Sequence, residues 1–159
     1  MRTILFTMIL AVAACGGSSK KPQARPEDVA KAAFEALKAG NLGPIEAHLV
    51  TAEEQRKSTG VVLDDTALRE RWESLLLQMH ERLNVDWGTA AASVAKVRYD
   101  PMGIGASVTL SIKSTAGTIA VDVAVAKVGR RFVFDGVKPL PGAETKQAAP
   151  DSESEEDGG

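Results

Sequence analysis

Apolar positions change their spacing near the middle of the chain, and that change predicts the fold. In the first half they recur every three or four residues. Val29, Ala30, Ala33, Phe34 and Leu37 share one face of a helix that Pro26 opens and Gly40 closes. Glu27 and Asp28 suit the positive end of its dipole. A short second helix is expected from Leu42 or Pro44 to about Gln55, with Leu42, Ile45 and Leu49 inward. Ser58, Thr59 and Gly60 break the chain, and Asp64 or Asp65 caps a third helix. Its stripe of Leu68, Trp72, Leu75, Leu76, Met79 and Leu83, running to about Asn84, is the strongest helical signal present.

In the second half the period becomes two. Ala106, Val108, Leu110 and Ile112 alternate with Ser107, Thr109 and Ser111. Ile119, Val121, Val123 and Val125 alternate with Ala120, Asp122, Ala124 and Ala126. Alternating β-branched residues read as strand. Lys113 to Gly117 joins these two as a hairpin loop of a few residues. Two more strands are expected at about 92–99 and 131–137, with a tight turn at Val128-Gly129-Arg130. The expected fold is therefore α+β in residues 26–140: about three N-terminal helices packed on a four-stranded antiparallel sheet.

The two ends do not fit that domain. Met1 and Arg2 precede an apolar run, Ile4 to Ala14, broken only by Thr7. Its length suits a signal-peptide core and falls well short of the roughly 20 residues that span a bilayer. Ala11, Val12, Ala13 and Ala14 then bring small side chains up to Cys15, the only cysteine in the chain. Residues 15–25 continue with Gly, Ser, Lys and Pro, which make a poor core and a good tether. Ten such residues reach at most about 35 Å. Residues 141–159 read as a disordered acidic tail; from Glu144 onward it holds six acids, one lysine and no aromatic or branched apolar residue. Its five acids between 151 and 157 can hold a cation or a basic partner, but a solvating tail is the preferred reading.

The pattern Val12-Ala13-Ala14-Cys15 resembles the lipobox of bacterial lipoproteins. The resemblance implies that residues 1–14 are removed and that the Cys15 thiol carries a diacylglyceryl group. The membrane then becomes a partner through covalent lipid. Two or three acyl chains make a durable anchor where one binds only marginally. Gly16 stands where an Asp often marks inner-membrane retention, so the resemblance points to the outer membrane facing the periplasm. With Cys15 acylated, the domain has no free thiol and no disulfide, which excludes cysteine nucleophiles and thiolate metal sites.

The order of elements resembles the nuclear-transport-factor-two-like fold, also called SnoaL-like or cystatin-like. The opening PEDVAKAAFEALKAGNLGPIEAHL and the closing RRFVFDGVKPL carry the resemblance. It implies a curved, cone-like sheet around the helices, and a homodimer, since many members pair. Enzymes of this fold use a buried acid or base inside the cone. Low aromatic content departs from that pattern.

Candidate chemistry is sparse. No HExxH, CxxC, GxSxG or glycine-rich phosphate loop occurs, and no metal or cofactor is expected. Asp100-Pro101 and Asp135-Gly136 read as turn chemistry. Asp122 sits mid-strand among alanines: a general base if its face lines a cone, a solubilising charge if that face meets water, the second being preferred. His80 lies on the flank of the third helix with Arg69 and Glu73, where the three can form a small polar cluster or, the preferred reading, a solvated flank with one i,i+4 ion pair. His48 reads as a surface or satisfied histidine. Net charge is −2, with −5 in the tail, so residues 15–143 carry only +2 after loss of Arg2. That balance argues against nucleic acid. Two functions remain: a non-catalytic envelope module for a protein or small ligand, and a small lyase or isomerase using Asp122 or His80.

Overall fold

The computed structural model describes residues 24–61 and 64–143. The expected signal segment 1–14, Cys15, most of the 15–25 tether and the acidic stretch beyond 143 lie outside the described residues.

Helix α1 spans Pro26–Ala39, a 3-10 helix Gly43–His48, α2 Ala52–Thr59 and α3 Asp65–Arg82. Strands follow as β1 (Ala91–Tyr99), β2 (Gly105–Ser114), β3 (Gly117–Val128) and β4 (Arg131–Pro139). They pair antiparallel in chain order as one open sheet. The expected α+β architecture is observed.

Helix α1 starts where Pro26 needs no N–H partner, and the Asp28 carboxylate accepts the Arg25 N–H at 2.9 Å. It stops at Gly40, whose φ of 64° is open to glycine at little cost. Its inward residues Val29, Ala30, Ala33 and Leu37 are all fully buried. They meet Val108, Leu110, Ile112, Val121 and Val123, which are fully buried on one face of the sheet. Alanines at 30, 33 and 36 let α1 lie close enough to touch all four strands. Helix α3 packs on α1 through Leu76 and Met79, and Trp72 meets Phe134 of β4 edge-to-face at 5.3 Å.

Three local expectations are corrected. The single helix expected from 42 to about 55 is two pieces. Thr51 and Glu54 form a capping box: Glu54 N–H donates to the Thr51 hydroxyl at 3.2 Å, and Thr51 N–H to the Glu54 carboxylate at 2.9 Å. That cap starts a new helix and leaves Leu49 and Val50 outside any helix. The loop joining β2 and β3 is only Thr115 and Ala116, because Lys113, Ser114 and Gly117 belong to the strands. Asp135-Gly136 is not a turn. It is a β-bulge inside β4, facing the step between Ala124 and Val125, with Gly136 at φ 152°. The packed chain also runs past 140: Ala143 is buried, and its carbonyl accepts the Asn84 N–H at 3.1 Å.

Candidate functional site

Alternation along β3 sends Val121 and Val123 toward the helices and Asp122 to the other face. Pairing then places Lys96, Thr109, Asp122 and Lys138 opposite one another on four successive strands. Arg98, two residues along β1 from Lys96, reaches the Asp122 carboxylate at 3.1 Å, and the Thr109 hydroxyl donates to its other oxygen. The Asp122 side chain keeps 18% of its exposure and Arg98 57%. The carboxylate oxygens thus accept a guanidinium and a hydroxyl, with Lys96 and Lys138 further along the same cross-strand row. Ser107, Ser111, Ala120 and Ala124 fill the surrounding positions with small side chains. Such a surface offers exposed donors to a polar or anionic partner. The guanidinium and the hydroxyl occupy both Asp122 oxygens.

His80 has a different setting. Its Nδ1 lies 2.6 Å from the Leu37 carbonyl, so Nδ1–H donates there, beside the Gly40 N–H that the same carbonyl accepts at 3.3 Å. The ring stacks on Trp87 at 5.1 Å, and Trp87 Nε1–H donates to the His80 carbonyl at 2.9 Å. His80 therefore ties three segments together at the end of α1. Arg69, Glu73 and His80 do not gather as a polar cluster, the less favoured of the two readings: Arg69 pairs with Glu46 on the 3-10 helix. His48 stands at the end of that 3-10 helix, partly buried.

Two grooves remain. One, of about 480 Å³, lies under the β1–β2 turn and is lined by Arg98, Tyr99, Ile104, Ala124 and Asp135. Partial burial pushes the Asp135 carboxyl up, and Arg71 on α3 pulls it back. The other, of about 360 Å³, runs between α3 and the chain from the 3-10 helix to α2, lined by Leu49, Val50, Leu68, Arg69 and Trp72. Neither includes Asp122 or His80. Among the described residues no three His, Cys, Asp or Glu side chains gather as a metal site.

No protein-family model, no curated protein and no solved structure matches the chain. The site residues therefore stand on geometry alone.

Sequence reasoning missed the contacts that close the domain. Arg131 of β4 reaches back to Glu54 and to the carbonyls of Ala47 and Leu49. Asp86 gathers the Thr89 hydroxyl, the Thr115 hydroxyl and the Gly88 N–H, which hold its carboxyl below the usual range. Lys38 donates to the Ala90 carbonyl at 2.9 Å. None of these pairs shares a period or a motif.

Proposed function

We propose that this chain is a lipid-anchored protein of the bacterial envelope, facing the periplasm from the outer membrane. Its folded domain serves as a non-catalytic binding module. The observation that carries the anchor is the lone Cys15 placed directly after Val12-Ala13-Ala14, at the end of a short apolar core behind a positive start. The helices-then-meander order supports a nuclear-transport-factor-two-like ancestry for the domain.

The binding reading is supported by the row of Lys96, Thr109, Asp122 and Lys138 on the sheet face away from α1. Asp122 is engaged by Arg98 and Thr109, and His80 by Leu37 and Trp87, which suits support of a surface better than proton transfer. The partner is a protein or small ligand with acceptor groups for the exposed lysines. A pull-down from detergent-solubilised membranes, with the wild-type chain and a Lys96→Glu/Lys138→Glu variant, tests it. A partner held by the first and lost by the second supports the reading; equal capture by both, or none, counts against it.

A further inference from the structure

Among the described residues, the most exposed large apolar side chains gather at one place. Met102 is 83% exposed, Ile104 63% and Tyr99 61%, all at the β1–β2 turn. In an antiparallel meander the β1–β2 and β3–β4 turns lie at the same end. Here they are tied, since Lys127 N–H donates to the Ile104 carbonyl at 2.8 Å. Exposed Arg98, Lys127 and Arg130 therefore stand around the apolar tip. The one acid in the turn, Asp100, is engaged within it, accepting the Met102 N–H at 2.7 Å, while Asp135 of β4 lines the groove beneath. At the opposite end of the sheet, among the described residues, Asp86, Thr89 and Thr115 make a polar lattice instead.

We propose that this end of the sheet is a membrane-contact tip. Met102, Ile104 and Tyr99 enter the interfacial zone of a bilayer, and Arg98, Lys127 and Arg130 meet anionic lipid headgroups. The turn is preformed, so docking orders little. Gly103 N–H donates to the Asp100 carbonyl at 2.9 Å, and Asp100 N–H to the Gly105 carbonyl at 3.0 Å. Charge selects lipid over a second copy of the chain. A two-fold contact would set the same three cations against each other at the rim, whereas anionic headgroups neutralise them. The proposal rests on the reading of the chain as membrane-tethered. A tether of about 35 Å at most raises the local lipid concentration, so modest affinity at the tip suffices.

The test uses the chain from Gly16 to Gly159, which carries no acyl group. Among the described residues the core cluster runs from Val29 to Ala143, and this chain keeps all of it. Sedimentation is measured with vesicles of phosphatidylethanolamine and phosphatidylglycerol, and with phosphatidylcholine alone. Binding to the first and not the second is expected. Met102→Asp with Ile104→Asp should weaken it about tenfold or more, and Lys127→Glu with Arg130→Glu about tenfold or more. Leu77→Asp, an exposed apolar residue on α3, should bind as wild type. Should the aspartate pair unfold the chain, Met102→Gln gives the same reading. No vesicle binding by wild type overturns the proposal, as does equal binding by folded tip variants. So does a tip-dependent dimer without vesicle binding. None of these results bears on acylation of Cys15, which a fatty-acid label reads separately.

Discussion

Arg131 on β4 clamps Glu54 on α2 across 77 residues of sequence, with Nε donating to the carboxylate at 2.8 Å. The same guanidinium donates to the Leu49 carbonyl at 2.9 Å and the Ala47 carbonyl at 3.2 Å. One side chain thus closes the chain between the 3-10 helix and α2 onto the sheet. The Arg131 hydrogen bond is the main force that lowers the Glu54 carboxyl from 4.5 to about 2, against the opposing effect of burial.

Loss of the clamp should cost stability in a pH-dependent way. A carboxyl depressed in the folded state stabilises above its unfolded value and loses that contribution as pH falls through the folded value. Arg131→Leu should cost about 2 kcal/mol near neutrality. The difference from wild type should shrink as pH falls from about 4.5 toward 2. Urea denaturation across that range measures it, and a difference that stays constant with pH would contradict the assignment.

Asp135 should show the opposite sign. Burial raises its folded carboxyl, so its effect on stability grows less favourable as pH rises through the carboxylate range. Asp135→Asn should be more stable than wild type near neutrality, with the gap narrowing in acid. Thermal melts at both ends of the range read this directly. A less stable Asn variant near neutrality would show that Arg71 outweighs burial.

His80 should behave as a structural clasp. His80→Ala removes the donor to the Leu37 carbonyl and the stack on Trp87, at a cost of about 1–3 kcal/mol. Nitrogen NMR should place its neutral-state proton on Nδ1. A proton on Nε2, or a variant as stable as wild type, would return His80 to candidacy as a free base.

Gly105 opens β2 under a neighbour too close for any side chain. A Cβ there would stand 2.5 Å from the Val125 carbonyl oxygen. Gly105→Ala should therefore cost about 1–3 kcal/mol and disturb the β1–β2 turn. An alanine variant of wild-type stability would contradict that packing.

Periodicity made most of this fold legible before the structure. The α1 face, the α3 stripe and the alternation in β2 and β3 each repeat one local rule, and all three appear as buried faces. What escaped was set by contacts far apart in sequence or by backbone geometry. The break at Leu49–Val50 follows from a cap at Thr51 that competes with continued helix. The Asp135-Gly136 pair looks like a turn in sequence, and only its register against Ala124 and Val125 makes it a bulge. Asp122 is the one charged residue among the alanines of its strand face. Its partners Arg98 and Thr109 lie on two other strands, so pairing had to be known first. Arg69 and His80 were grouped by helix phase, yet each found a partner on a different element.

Cys15 carries the central claim, and mass spectrometry of the protein extracted from membranes tests it most directly. The account predicts a mature chain that begins at Cys15, with a diacylglyceryl group on its sulfur. A chain with an unmodified Cys15 thiol, or one whose N-terminus lies at another residue, would contradict it.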